Sequence, residues 1–429
     1  MKISEIIEAT GAKVLKEIDK ELDVNISTDT RTIKEGDFYL PLKGASFDGE
    51  KFIDSALEKG AAGAFCTCGT SGTLLVDNTL EAYLKLANYR RKKQNFTVVA
   101  VTGSSGKTTT KELVAAVCSE KFRTFKTPLN HNNEIGFCQT IFEAPDNTEV
   151  LVLEMGMRGL GEIELLSKYA EPDITIIANV GTAHIGRLGS RENIAKAKCE
   201  IVKHQRGNIF IAHDDELIKK TVEFSGEKIF YSINDVVILN KTATCSQFEY
   251  QKNTYQLNVG GDYNIENSLA AINTGLALGM GVNEIQEGLK KYHPIEKRWE
   301  SVNAGGFEII NDSYNANPES MKAFVDTVTE LYDDYVFVLG DMGELGKDEI
   351  GYHCEVGEYI YKKNPNAKVL TVGSLSKNIT DACGGKHFNS VEDCVNYIRE
   401  NVSKETKLFL KASRSMKFER IIELLGFII

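Results

Sequence analysis

Apolar positions along this chain fall into two alternating rhythms. Short unbroken runs rich in Val, Ile, Leu and Phe occur at residues 38–42, 61–65, 97–101, 150–153, 173–180, 306–311, 335–340, 367–373 and 407–410. Runs of this kind, without polar alternation, predict strands covered by helices on both faces. Between them lie stretches with apolar residues three and four apart. Residues 108–118 place Leu113, Val114 and Val117 on one helical face. Residues 193–201 read as a helix carrying Lys196 and Lys198, and Pro318 starts another after an Asn-rich turn. Residues 78–94 are polar and include Arg90-Arg-Lys-Lys93, which predicts a solvated linker helix. Strand and helix alternate to the end, so the expected class is α/β with mainly parallel sheets.

A chain of 429 residues suggests about three domains. The pattern divides it into a small N-terminal α/β unit with its linker helix (1–95), a central P-loop ATPase-like unit with a mainly parallel sheet (96–297) and a Rossmann-like unit (298–429). The last lacks a GxGxxG loop and so is not read as binding a dinucleotide. Composition narrows the class further. With 42% hydrophobic and 26% charged residues the chain reads as soluble and globular, and a net charge of -11 argues against a nucleic-acid surface. The first residues mix charge with apolar side chains rather than forming a signal peptide, and no run is long enough to span a bilayer. Nine scattered cysteines suit reduced thiols in a cytoplasmic protein. Cys66-Thr-Cys68 has no second pair at metal-ligand spacing and reads as core packing rather than zinc.

The candidate chemistry begins where the run at 97–101 empties into Gly103-Ser104-Ser105-Gly106-Lys107-Thr108-Thr109. Two glycines let loop amides face one anion, and the following helix adds its positive end. Lys107 would reach the β- and γ-phosphates and the Thr108 hydroxyl a bridging Mg²⁺. The loop is shorter than GxxxxGK[ST]; the alternative is a glycine turn without a ligand. Glu154 ends the run at 150–153, and Gly181-Thr-Ala-His184 follows the run at 173–180, which puts both side chains on the ligand-binding edge of a parallel sheet. Glu154 suits Mg²⁺ or is a surface acid; His184 suits a second cation, orients an acceptor, or is a satisfied loop residue. Lys198 is a solvated lysine, a phosphate partner, or, if carbamylated by CO₂, an anionic metal ligand. Thr30, Arg31 and Gly44 could hold a phosphorylated ligand or simply shape a turn.

Together these stretches resemble the Mur ligase family. The resemblance is carried by Asp29-Thr-Arg31 with Leu42-Lys-Gly44, TGSSGKTTTKE at 102–112, Asn132-Asn-Glu-Ile-Gly136, Glu154-Met-Gly156, Ala183-His184 and Ala195-Lys-Ala-Lys198. NDSYNANP at 311–318, GDMGELG at 340–346 and Ser413-Arg-Ser-Met416 carry it through the third unit. It implies amide synthesis driven by ATP: the γ-phosphoryl group goes to the terminal carboxylate of a UDP-N-acetylmuramoyl-tripeptide, and the amine of D-alanyl-D-alanine attacks the acyl phosphate. It further implies two Mg²⁺ ions, one on Thr108 and Glu154 and one on His184 and carbamylated Lys198. Lys107, Glu154, His184 and Lys198 would form the catalytic set. Asn264, Arg298 and Asp312 would join the phosphate loop in holding ATP. Thr30, Arg31 and Gly44 would hold the UDP sugar, Asn132 and Asn133 the cleft, and Tyr314, Asn315 and Ser413 the dipeptide. Cys199 departs from the small residue expected after the lysine. A monomer is expected, with a hinge near Lys297 and Arg298. The rival readings are a folylpolyglutamate synthase-like ligase and a nucleotide-gated binding protein without catalysis.

Overall fold

The strand Thr97–Thr102, buried over five of its six residues, lies inside a six-stranded sheet in which every neighbour is parallel. Across the sheet the order is Glu227–Tyr231, Ile209–His213, Ile174–Ile177, Thr97–Thr102, Val150–Glu154 and Thr124–Lys126. From the central strand the chain goes first to one edge and returns, then crosses to the other side. The strand order therefore reverses at Thr97–Thr102, and a crevice opens beyond its carboxyl end. This computed structural model describes residues 1–426 apart from 45–46, 70, 129–130, 243 and 295–296.

Helix Lys107–Cys118 runs back from that edge with Leu113, Val114 and Val117 fully buried, on the face the periodicity predicts. Helices Asp262–Ala277 and Val282–Lys291 pack on it. A small antiparallel sheet, Val237–Lys241, Ser246–Tyr250 and Asn253–Leu257, adds Phe248 and Tyr255 to the same core. The C-terminal domain holds a second six-stranded sheet, ordered Glu300–Ala304, Phe307–Asn311, Lys407–Lys411, Tyr335–Gly340, Lys368–Val372 and Lys386–Phe388. Its first pair is antiparallel and the rest are parallel. The N-terminal sheet has five strands of two to four residues. Cys66 belongs to that domain's small core; Cys68 is exposed, against the packing expected of it.

Helix Thr79–Gln94 is not the solvated linker that its polarity predicts. Ala82, Tyr83, Leu84, Leu86 and Ala87 are buried, and Arg91 is only 1% exposed. Arg91 Nε donates to Ala170 O at 2.9 Å and Nη2 to Glu171 O at 2.8 Å, while Arg90 Nη2 donates to Ala144 O at 2.9 Å. The guanidinium groups satisfy carbonyls of the central domain while their stems pack beneath, so a basic run serves as an interdomain seam.

Between the central and C-terminal domains, Lys297 and Trp299 hold left-handed backbone, with φ of +60° and +58°. The Trp299 ring wedges against Tyr263 of the central domain and Phe324 and Phe409 of the C-terminal domain, at centroid distances of 6.1, 5.7 and 6.1 Å. The expected hinge thus carries both unusual backbone and an aromatic anchor. Among the described residues no helix is long and apolar enough to cross a membrane.

Helix Val282–Lys291 lies so close to Lys107–Cys118 that a Cβ on Gly288 would fall 2.5 Å from Val117 Cα. Gly288→Ala should therefore destabilise the central domain by about 1–3 kcal/mol, the usual cost of overpacking. Urea unfolding followed by circular dichroism should show an earlier transition; an unchanged midpoint would mean that the helices separate freely.

Candidate active site between the central and C-terminal domains

The phosphate loop is shaped by close backbone approach. Gly106 has φ +72°, and a Cβ there would sit 2.5 Å from Asn267 Oδ1; at Gly103 a Cβ would meet Ser105 O at 2.9 Å. The first intrahelical bond runs from Thr110 N–H to Gly106 O, so the amides of Lys107, Thr108 and Thr109 stand ahead of the helical ladder at its positive end. The amides of the two loop serines are turned elsewhere. Ser104 and Ser105 N–H donate to Asn179 Oδ1 at 3.0 and 2.9 Å, and Asn179 Nδ2 donates back to Ser105 O and Oγ at 3.1 and 2.9 Å. Asn179 splints the loop from the neighbouring strand end. Lys107 Nζ donates to Gly103 O at 2.9 Å. Burial pulls its pKa below the usual lysine value; the carboxylate of Glu154 opposes this and the charge of Arg298 adds to it.

Glu154 closes strand Val150–Glu154 and is 4% exposed. Its Oε1 accepts from Asn132 Nδ2 at 2.9 Å, and its N–H donates to Thr127 Oγ1 at 3.0 Å. Its Oε2 is buried without a hydrogen-bond partner, 3.9 Å from Lys111 Nζ. A buried carboxylate oxygen left unbonded is costly unless positive charge meets it. That fits a hard cation. Among the described residues no three His, Cys, Asp or Glu side chains converge into a metal cage. Such a donor set suits Mg²⁺, which keeps several waters and shares one or two carboxylates with substrate phosphates.

His184 precedes the short helix Ile185–Leu188 in a left-handed conformation, φ +66°. Its Nδ1 lies 2.5 Å from Glu344 Oε2 of the C-terminal domain. Burial lowers the imidazole pKa most; Glu344 opposes it, and the charges of Lys107 and Lys198 reinforce it. On helix Arg191–Cys199, Lys196 is exposed but Lys198 is 1% exposed, so the solvated reading fails for Lys198. Burial, with Lys107 nearby, holds its pKa well below the usual range. Cys199 is buried in the core beside it, its thiol pushed up to about 12 by burial.

From the far side, Arg298 lays its guanidinium 4.0 Å over the Tyr314 ring and donates from Nη2 to Thr108 Oγ1 at 2.9 Å. Asp312 accepts from Lys411 Nζ at 2.5 Å, and Asn264 Nδ2 donates to Gly260 O at 2.7 Å. Loop residues 104–109, Asn132, Glu154, His184, Asn264, Arg298, Asp312, Tyr314 and Asn315 all border one cleft of about 520 Å³. Gly103 and Lys198 do not line it.

Other expected site residues do not line this cleft. Asn133 caps helix Glu134–Glu143, accepting from Gly136 N–H at 2.9 Å. Ser413 Oγ accepts from Gly343 N–H at 2.8 Å. Arg31 pairs with Asp29 at 2.6 Å, Thr30 O accepts from Lys59 Nζ at 2.7 Å, and Gly44 N–H donates to Phe47 O at 2.8 Å, all within the N-terminal domain. The structure also brings in residues that the motifs did not single out: Asn179, Lys111, Glu319, Glu344 and Trp299. Asn179 had a signal, since it is an amide inside the otherwise apolar end of the run at 173–180. Glu344 and Lys111 sit inside quoted motifs, but nothing local gives their partners.

Three models of the Mur ligase family match the chain: the family's catalytic domain at residues 24–96, the middle domain at 101–275 and the glutamate ligase domain at 297–414. The UDP-N-acetylmuramoyl-tripeptide–D-alanyl-D-alanine ligase of Bacillus subtilis is 34% identical, over 98% of this chain and 96% of that protein. A crystal structure of MurF from Acinetobacter baumannii superposes with a TM-score of 0.92 at 27% identity, covering 99% of this chain and 98% of that one. MurF ligase from Thermotoga maritima, solved in complex with ADP, gives a TM-score of 0.84 at 30% identity over 94% of this chain and 97% of that one.

Asn179→Ala removes the splint from the phosphate loop. Calorimetric titration with ADP and Mg²⁺ should show affinity lower by about tenfold, the loss of roughly 1.4 kcal/mol of pre-organisation. Unchanged affinity would mean that the loop holds its shape unaided.

Proposed function

The chain belongs to the Mur ligase family, and from that premise we propose that it is the ATP-dependent ligase that joins D-alanyl-D-alanine to UDP-N-acetylmuramoyl-tripeptide in peptidoglycan precursor synthesis. The observation that carries this reading is the match to a UDP-N-acetylmuramoyl-tripeptide–D-alanyl-D-alanine ligase over nearly the whole chain, including the C-terminal domain whose Arg298, Asp312 and Tyr314 border the same cleft as the phosphate loop. It separates this enzyme from a folylpolyglutamate synthase-like ligase. The low-pKa Lys198 and unbonded Glu154 Oε2, placed behind a phosphate loop, favour catalysis over mere nucleotide-gated binding.

ATP binds with its phosphates on the amides of Lys107, Thr108 and Thr109. The terminal carboxylate of the tripeptide attacks the γ-phosphorus, the bond to the β-γ bridging oxygen breaks, and ADP leaves. Lys107 neutralises charge spreading over the transferring group. The amine of the dipeptide then attacks the acyl carbon of the acyl phosphate, phosphate leaves, and the nitrogen loses a proton to give the amide. Arg298 draws the C-terminal domain to the nucleotide, and Asp312 and Asn264 hold its nucleoside part. Tyr314, Asn315 and Ser413 present the dipeptide, Asn132 and Asn133 order the cleft, and Thr30, Arg31 and Gly44 hold the UDP sugar. Thr108 with Glu154 would hold one Mg²⁺, and His184 with carbamylated Lys198 a second; bound there the ions supply positive charge to the phosphoryl oxygens and the attacking carboxylate. A lysine nitrogen whose pKa is lowered by burial is neutral more often, the form that adds to CO₂. The protein acts as a cytoplasmic monomer and turns about Lys297 and Arg298, because its two substrates are held by different domains.

Purified protein given ATP, Mg²⁺ and UDP-N-acetylmuramoyl-tripeptide should release ADP in sustained turnover only when D-alanyl-D-alanine is added. Release that requires a folate and glutamate instead would overturn the substrate assignment. Lys107→Ala should lower turnover by about 10²-fold or more, as loss of a charge-stabilising donor does; near-normal activity would remove Lys107 from the mechanism. Lys198→Ala should be inactive and partly rescued by short carboxylic acids, whereas absence of rescue would count against the carbamate.

A further inference from the structure

The central domain meets the C-terminal domain through the loop at residues 181–186, just beyond strand Ile174–Ile177. Gly181 N–H donates to Ser104 Oγ at 2.9 Å, tying this loop to the phosphate loop. Thr182 N–H and Oγ1 both donate to Glu319 Oε2, at 3.2 and 2.7 Å. His184 Nδ1 lies 2.5 Å from Glu344 Oε2, and Gly186 N–H donates to Glu344 O at 3.3 Å. The two segments approach at backbone distance: a Cβ on Gly186 would fall 2.5 Å from Gly346 N, and one on Gly346 would fall 2.5 Å from Gly186 Cα.

The two side chains that meet here are both strained. His184 and Glu344 are non-glycine residues in left-handed backbone, at φ +66° and +63°. Such conformations persist only where the surroundings enforce them, and they gather at functional sites. The Glu344 loop is enforced at every step. Asp341 accepts from the N–H groups of Ser374, Leu375 and Ser376 at 3.0, 3.0 and 2.7 Å. Met342 N–H donates to the buried His353 Nε2 at 3.0 Å, and Gly343 N–H to Ser413 Oγ at 2.8 Å. The C-terminal domain therefore presents the Glu344 carboxylate at a fixed place.

Resting on the ligase reading above, we propose that Glu344 is a positioning residue: the C-terminal domain carries into the cleft the carboxylate that orients the His184 imidazole, and Glu319 on Thr182 is the second point of the latch. The Glu344 carboxylate lies 2.5 Å from Nδ1 although the angle does not make a hydrogen bond, so a small turn of the ring would place a proton on Nδ1 and leave Nε2 as the ring's free nitrogen. The catalytic set is then complete only when loop 181–186 is docked, and Ser104 links that docking to the phosphate loop. Ser413 acquires a role here as a support of the Glu344 loop.

The test compares the wild-type enzyme with Glu344→Gln and Gly186→Ala. The wild-type assay reports on the ligase reading itself; the variants report on the latch. Glu344→Gln should lower kcat by roughly 10–100-fold, the usual effect of removing a group that orients a ligating histidine, with KM for ATP within about twofold of wild type. Gly186→Ala touches no substrate and suits a helix, yet it blocks the approach of Gly346. It should lower turnover by about 10²-fold, as a 1 Å misplacement does. Small-angle X-ray scattering with a non-hydrolysable ATP analogue, Mg²⁺ and tripeptide substrate should show a larger radius of gyration for Gly186→Ala than for the wild type, with equal circular dichroism spectra. Wild-type turnover in either variant, or wild-type compaction in Gly186→Ala, overturns the proposal.

Discussion

The structure depends on a set of buried charges that the protein alone leaves only partly compensated. Lys107 and Lys198 are held below their usual pKa by burial, and Glu154 offers a buried oxygen with no hydrogen-bond partner. Apolar surroundings would ordinarily expel such groups or neutralise them. Here they are fixed by groups that cannot easily move: Gly103 O on Lys107, and Asn132 and Thr127 around Glu154. A nucleotide and its divalent cation bring the complementary charges, so the cost of assembling the site becomes affinity and rate when substrate arrives.

The rigid parts of the fold serve that arrangement. Three parallel strands, Thr97–Thr102, Val150–Glu154 and Ile174–Ile177, end on one edge and deliver the phosphate loop, Glu154, and the segment from Asn179 to His184. The C-terminal sheet delivers Asp312 and the Glu344 loop from the opposite side. The central domain carries Lys107, Glu154, His184 and Lys198, and the C-terminal side brings Arg298, Asp312 and Glu344 to the same cleft region. The left-handed Lys297 and Trp299, and the aromatic packing around Trp299, mark the covalent connection between the halves.

What could be read in the sequence is what is local. The phosphate loop is contiguous, and its strand, glycines, lysine and helix each carry their own signal, so both the loop and its direction were legible. Glu154 and His184 could be placed because apolar runs end just before them. The Lys196–Lys198 pair shows the limit: residues two apart on a helix do not share a face, but the periodicity of a nine-residue helix did not say whether either turns inward. Helix Thr79–Gln94 misled because guanidinium groups bonding distant carbonyls look, in sequence, like groups bonding water. The pairings of Asn179 with the phosphate loop and Glu344 with His184 join segments remote in the chain, and no single-sequence pattern encodes them.

In the proposed reaction this cleft activates a carboxylate by phosphorylation and then forms an amide. Tripeptide substrate labelled with ¹⁸O in its terminal carboxylate tests it most directly, with the released phosphate analysed by mass spectrometry. Transfer through an acyl phosphate carries one labelled oxygen into each phosphate for every amide formed. Phosphate without label, alongside normal amide synthesis, would rule out the acyl phosphate.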